Sequence, residues 1–470
     1  MRMVEQLADF VTRSSYDDLS VAARQALKTH VLDTLGCAIA ALDSEPIRAI
    51  RAQVADFGGT QRCALIGGGR TAPDRAAFYN SALVRYLDFN DSYLAPGETC
   101  HPSDNLGAVL AAAEYAGRSG RDLLTALAVA YQVQCRLSDV APIRAKGFDH
   151  TTQGAYAVAA GVSKALGLDP AKTANAIAIS GTAFNALRVT RTGRLSNWKG
   201  LAYPNTAFGA THAAFLAMHG ITGPLEVFEG NKGFMDAIAG QFAIDWSQED
   251  LERVTRTVVK KYNAEMHAQS AIEGILELKH AHHFTAGNVQ QVRIEIFDVA
   301  YNIIGGGEEG DKMIVRTKEQ ADHSLPYMIA VALLDDQVMP EQYEPERIMR
   351  PDVQALLRKI IVRPVEEYSR RFPGEMPCRV AISLDDGESV MIARRDYEGF
   401  HSRPMRWESV VQKFEQLSAR YADAALRREI IEAVSHLDTI HVTDLTHRLA
   451  KVRKNQPRAG SHRQIVRQVS

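Results

Sequence analysis

Through the first half of the chain, apolar residues recur at helical spacing. The stretch SYDDLSVAARQALKTHVLDTLGCAIAAL opens on Ser and Asp, keeps its acids early and then spaces its apolar residues three and four apart, which predicts a helix. NLGAVLAAAEYAGRSG and GRDLLTALAVAYQVQCRLSD predict two more, parted by a Gly-containing break. TTQGAYAVAAGVSKALGLDP is rich in small residues and ends in a Gly-Leu-Asp-Pro stop, and DPAKTANAIAISGTAFNAL and PNTAFGATHAAFLAMHGITGP continue the series. These segments carry Ala on all sides, so they are expected to pack closely inside a bundle rather than to lie on a surface.

The pattern changes near residue 270. VQQVRIEIF alternates as a strand, and RVAISLDDGESVMIARR reads as two strands around Asp386-Gly387, a hairpin signal. Between them lie the Gly-rich IIGGGEEGD and the helical SLPYMIAVALLDD; from Trp407 onward the helical spacing returns. The expected fold is mainly α: a discontinuous all-helical domain (1–269 and 404–455) with a smaller, lid-like α+β domain inserted at 270–403 and a disordered basic tail at 456–470. No tandem repeat is visible.

Composition narrows the function classes. The 470 residues are 46% hydrophobic and 23% charged, with a formal net charge of −2, so no global basic field argues for nucleic acid. The bias at Lys451, Arg453, Lys454, Arg458, Arg463 and Arg467 lacks apolar periodicity and reads as a solvated terminus. Five cysteines stand singly without a C-x-x-C pair, against a zinc site or iron–sulfur cluster of the usual spacing and in favour of a reducing cytoplasm. No apolar run reaches the ~18 residues that span a bilayer, and the first ten residues lack the core of a signal peptide.

Four clusters could carry chemistry. LDFNDSYLAPGETCHPSDNLGAVLAAA places Asp88, Asn90, Asp91, Glu98, Cys100, His101, Ser103 and Asp104 before an Ala-rich helix. Ser103, Asp104 or Asn105 is ordinary N-cap chemistry, which leaves Asp91 and His101 together unexplained. KGFDHTTQG sets Asp149-His150 before a helix start, where a cap is the better reading for a single His. RVTRTGRLSNWKGLAYPN crowds Arg188, Arg191, Arg194 and Lys199 into a turn-rich loop between apolar helices, suited to an anionic ligand. KKYNAEMHAQSAIEGILEL places His267 at a helix start, and ADHSLPYMIAVALL does the same for His323 and Tyr327; for each His alone a structural role is as good a reading. His280, His282 and His283 read as a helix end. S-N-W-K and S-D-N stand in the reverse of the chain order used by acyl-serine enzymes, and GGGEEGDK lacks P-loop spacing, so both are coincidences.

Taken together and in order, DFNDSY…HPSDNLGAVLAAAE, RTGRLSNWKGLAYPNTAFGA, GPLEVFEGNKGF, NAEMHAQSAIEGILEL, ADHSLPYMIAVALLDD and HSRPMRWESVVQKF resemble the MmgE/PrpD family over nearly the whole chain. HAQSAIE and ADHSLPYMIAVALL resemble its 2-methylcitrate dehydratase branch most. The resemblance implies a helical domain plus a lid-like α+β domain with the active site between them, a homodimer, and no iron–sulfur cluster, metal or other cofactor. It implies catalytic positions at Asp91, His101, His150, Lys199 and His267, with His323 and Tyr327 contributed by the inserted domain. GFDHTTQG departs from the shorter G-[FW]-H-x-T form of many relatives.

Chemistries of this family share one difficulty: charge builds up on a carbon next to a carboxylate as a proton leaves or arrives. Fixed cations must neutralise the carboxylates and a base must face the C–H. Arg191, Arg194 and Lys199 suit the first task and a His–Asp pair suits the second. The expectation is a metal-independent, cytoplasmic hydro-lyase acting on 2-methylcitrate or a close tricarboxylate, with no nucleic-acid or membrane partner. The alternatives are a cis-aconitate-type decarboxylase or iminodisuccinate-type epimerase on the same scaffold, or a non-catalytic carboxylate-binding protein.

Overall fold

The Ala-rich segments fold as helices, three of them buried on nearly every side (Leu106–Tyr115, Gly120–Val140, Thr151–Leu166) and two with an open face (Pro170–Ala183, Trp198–Met218). Leu106–Tyr115, Gly120–Val140, Thr151–Leu166, Pro170–Ala183 and Trp198–Met218 pack on one another and on the earlier helices Val21–Ala40 and Pro73–Tyr86. Small side chains allow this closeness: a Cβ on Gly107 would lie 2.4 Å from the Ser81 nitrogen. The computed structural model describes residues 1–193 and 195–453. Arg194 and the basic tail from Lys454 onward lie outside the described residues.

Two buried apolar clusters organise the chain. The first runs from Val4 through Val254 and Val259 and resumes with Met405–Val452; the second runs from Val258 to Phe400. The chain thus leaves the helical body, builds a second lobe and returns, and Trp407–Ser418 packs against Val21–Ala40. Among the described residues, no helix is long and apolar enough to cross a membrane.

The second lobe holds a four-stranded sheet in the order Ile360–Pro364, Val289–Ile296, Cys378–Leu384, Ser389–Arg394. The last three strands are those the alternation predicts. Val289 and Val292 are both buried although three residues apart, because a register irregularity between Val289 and Gln291 resets the phase. The first strand pairs parallel to Val289–Ile296, which requires the long crossover carrying the Gly-rich loop and helix Leu325–Asp335. That helix and Gln269–His282 pack against the sheet.

Two further corrections bear on the site. A hairpin, Tyr93–Ala95 with Glu98–Cys100, interrupts the helices, turning at Gly97 with φ +77°. The basic segment is not one loop: a turn at Arg188–Arg191 is followed by a helix that begins at Trp198 and carries Pro204 within it.

Candidate active site

The hairpin delivers His101 to the lining of a cavity whose empty space, counted out to the open solvent, is about 510 Å³. The helical body supplies Arg85, Asp88, Glu98, His101, His150 and Arg191 to its wall; the second lobe supplies Glu265, His267, Glu309 and His323, and Lys260 comes from the crossing segment.

His101 does not meet the Asp91 carboxylate. Its Nδ1 lies 2.8 Å from the Asp91 main-chain carbonyl and 3.1 Å from Ser92 Oγ. A carbonyl only accepts, so Nδ1 carries the proton and Nε2 keeps its lone pair. Burial holds the ring well below its ordinary pKa, and Arg85 and Lys260 add to this, so the ring is neutral. The Asp91 carboxylate instead accepts from Ser103 N–H at 3.0 Å and Tyr131 OH at 2.7 Å and lies 3.1 Å from His30 Nδ1. Asp91 therefore caps the 3₁₀ turn Pro102–Asn105 that leads into Leu106–Tyr115. The expected caps have other partners: Asn90 donates to Ser103 and Asp104, and Asn105 donates to Gln134.

His150 sits edge-on to His101, with ring centroids 5.3 Å apart. Arg191 donates to its Nε2 at 3.0 Å and is itself held by Asp149 at 2.6 Å. Burial pushes His150 down to about 3, Arg191 adding to this against the opposing pull of Asp149. The proton then sits on Nδ1, which is buried without a partner. His267 is the counterpart across the cavity: Nδ1 lies 2.8 Å from Glu265 Oε1, and its buried Nε2 has no partner. Burial raises the Glu265 carboxyl, but His267, with His323 and Lys260, brings it down to about 2.

Lys199 lines a smaller adjacent cavity with Arg85 and Asp88, not the main one. Its Nζ lies 2.8 Å from Asp322, 3.3 Å from Asp88 and 3.0 Å from His323 Nδ1. Asp88, Asp322 and His323 are a group of the kind that could hold a metal ion, and the Lys199 ammonium already lies within bonding distance of all three. Burial lowers Lys199, with Asp322 and Asp88 opposing. His323 lines the main cavity. Tyr327 does not: it is wholly buried in the second lobe, and its hydroxyl donates to the Gln342 carbonyl.

Sequence reasoning missed Arg85, Lys260 and Arg144 as wall residues and did not single out Asp88. Asp88 adopts φ +55°, a left-handed conformation that Asp tolerates better than most residues, and bonds Arg85 at 2.6 Å and Lys260 at 2.7 Å. Burial alone would raise its carboxyl; Arg85, Lys260 and Lys199 together hold it well below the usual range. The signal available was the doubled lysine of KKYNAEMH, seven residues before His267. Beneath Lys260, Lys413 donates to the carbonyls of Phe89 and Lys260 at 3.0 and 2.8 Å and pairs with buried Asp33 at 2.7 Å.

Residues 5–247 match the MmgE/PrpD N-terminal domain and residues 262–439 match the MmgE/PrpD C-terminal domain. The chain is 29% identical over 464 residues to a 2-methylcitrate dehydratase of Cupriavidus necator, covering 92% of this chain and 93% of that protein. It is 27% identical to an alkylcitrate dehydratase of a fungal species (92% and 90% covered) and 24% identical to a cis-aconitate decarboxylase of Mus musculus (96% and 93%). The two domain matches, which together span most of the chain, make this protein a member of the MmgE/PrpD family.

Proposed function

We propose that the cavity removes water from a tricarboxylate of the 2-methylcitrate type, giving 2-methyl-cis-aconitate, with the chain's own cations carrying the charge. The observation that supports this most is that two imidazoles of the lining, His150 and His267, each keep a buried ring nitrogen without a partner, His150 Nδ1 and His267 Nε2, in a cavity also lined by Arg85, Arg144, Arg188, Arg191 and Lys260. Buried polar atoms without partners are uncommon and call for one, and a polyanion supplies acceptors for both the nitrogens and the cations. The acid–base chemistry follows from the tautomers. His101 Nε2 takes the proton from the carbon beside a carboxylate, and the charge that develops spreads onto oxygens held by guanidinium and ammonium groups. His267, entering the step as the imidazolium paired with the Glu265 carboxylate, delivers its Nε2 proton to the leaving hydroxyl, which departs as water and leaves the ring neutral. His150 Nδ1–H orients a substrate oxygen. Lys199 holds His323 and Asp88 in place.

The test incubates the purified protein with 2-methylcitrate, citrate, cis-aconitate and iminodisuccinate in the presence of a chelator, followed by ultraviolet absorbance and proton NMR. Unsaturated tricarboxylate growing from 2-methylcitrate is expected. Release of CO₂ from cis-aconitate without dehydration would replace this reading with a decarboxylase, which the likeness to the mouse protein supports. Binding without turnover would replace it with a carboxylate-binding protein.

A further inference from the structure

All five cations on the cavity wall are engaged by carboxylates, but one engagement differs from the others. Asp88 and Asp149 hold Arg85, Lys260 and Arg191 from inside the helical body, where both acids are buried. Arg144 and Arg188 are held from across the cavity by Glu309 of the second lobe. Its Oε1 accepts from Arg144 Nη2 at 3.2 Å and from Arg188 Nη2 at 3.1 Å. Among the described residues, the other carboxylate near the Arg188 guanidinium is Asp149, at 3.9 Å. Glu309 stands in the Gly-rich loop that the sequence reading set aside as a failed P-loop. Gly306 and Gly310, with φ +104° and +89°, flank it, and its amide is tied to the Asn302 carbonyl. Glu308 and Gly310 on either side are exposed.

Two guanidinium groups converging on one carboxylate oxygen are the donor set of a carboxylate site. We propose that Arg144 and Arg188 form a subsite for the outermost carboxylate of the ligand, that Glu309 is its resident occupant, and that a tricarboxylate displaces it. This rests on the tricarboxylate reading above. The Glu309 side chain is largely covered, but the loop that carries it turns at glycines and has exposed neighbours at Gly306, Glu308 and Gly310, so it can swing away without opening the core. A dicarboxylate that fills the inner cations has no third group with which to displace Glu309, so the loop selects for three carboxylates. Self-occupancy also weakens the apparent affinity by the fraction of time the subsite is free.

Calorimetric titration with propane-1,2,3-tricarboxylate, which has no hydroxyl to lose, and with glutarate separates the possibilities without turnover. Glu309→Gln is expected to tighten the tricarboxylate about three- to tenfold and glutarate by less than about twofold. Arg144→Gln is expected to weaken the tricarboxylate about tenfold, and in the double variant the tightening disappears. Glu309→Asp, a carboxylate too short to reach both arginines, is expected to tighten binding as Glu309→Gln does, which keeps the test open should the amide variant fold poorly. Unchanged or weaker tricarboxylate binding in both Glu309 variants, or equal gains for the two ligands, overturns the subsite while leaving the dehydratase reading standing. Wild-type protein that binds neither ligand overturns both.

Discussion

On the wall built by the helical body, each imidazole is held by groups buried in the interior. His101 hangs from the Asp91 carbonyl, and the Asp91 carboxylate is tied to Tyr131 forty residues away. His150 is held by Arg191, and Tyr203, against which Gly154 packs closely, stacks on it at 6.0 Å. On the opposite wall the polar supports are local and the rest is aromatic packing. His267 is braced by Glu265 two residues earlier and by the ring edges of Phe297 and Phe372 at 5.5 and 5.4 Å, and Glu309 rides on a glycine loop. The first wall is tied into the buried interior of the body, whereas the polar supports of His267 and Glu309 on the second are a turn and a glycine loop. A site built this way keeps His101, the proposed base, rigid and lets the other side adjust to what enters.

The largest effect is expected at His101. His101→Ala is expected to lower kcat by about 10³-fold or more with unchanged far-ultraviolet circular dichroism; a folded, fully active variant would remove the base from the rigid wall. Next is the floor beneath it. Lys413→Met leaves Asp33 buried and unpaired and is expected to cost about 3–5 kcal/mol in urea unfolding, whereas a surface-like loss below about 1 kcal/mol would show that the body is less tightly braced than its geometry implies. On the adjustable wall, Glu265→Gln is expected to reduce kcat by about 10–100-fold with little change in KM, since the carboxylate acts through His267; a change in KM alone would make it a binding group.

Stability against pH sharpens the contrast further. His150 is held neutral in the folded state, with its pKa brought down from 6.5 to about 3. Its contribution is complete above the unfolded value and is lost as pH falls from about 6.5 towards 3. Burial raises Asp104 from 3.8 to about 7 against the pull of Arg85, so its contribution is complete below 3.8 and is lost as pH rises towards 7. Between pH 4 and 6 the two slopes oppose one another. His150→Gln is expected to lower the rise of unfolding free energy with pH, and Asp104→Asn to steepen it, each by up to about 1.4 kcal/mol per pH unit. The same slope in both variants would mean that neither group titrates as its burial dictates. The smallest expected effect is that of Tyr131→Phe: about 1 kcal/mol of stability and only a few-fold in kcat, because His101 hangs from a main-chain carbonyl. A collapse of activity there would restore the Asp91 carboxylate to a direct role.

Legibility followed the range of the contacts. The alternation in VQQVRIEIF and RVAISLDDGESVMIARR is local, and those strands lie where it puts them. Ile360–Pro364 escaped notice because five residues with a charged end carry little alternation. The hairpin at Tyr93–Cys100 was hidden in a polar stretch that looked like a cap. The motif histidines His101, His150, His267 and His323 do come to one cavity. Arg85 and Lys260 were not legible, since a buried Arg late in a helix and a Lys 172 residues from its Asp88 partner gain meaning only through the fold. Lys199 and Tyr327 mark the converse: their motifs were visible, but the direction of each side chain is set by partners distant in sequence, Asp322 for one and the Gln342 carbonyl for the other.

Lys413 has a consequence for the order in which the protein can be made. The residue that supports Phe89 and Lys260 lies beyond the whole second lobe, on a helix that packs against Val21–Ala40. As the chain emerges from a ribosome, the sheet and its helices can form while the helical body still lacks its closing segment and the cavity its floor. The floor of the cavity is thus laid only after the second lobe has been made, and a nascent chain halted before Trp407 would already hold His101, His150, His267 and His323 but lack the residue that supports Phe89 and Lys260.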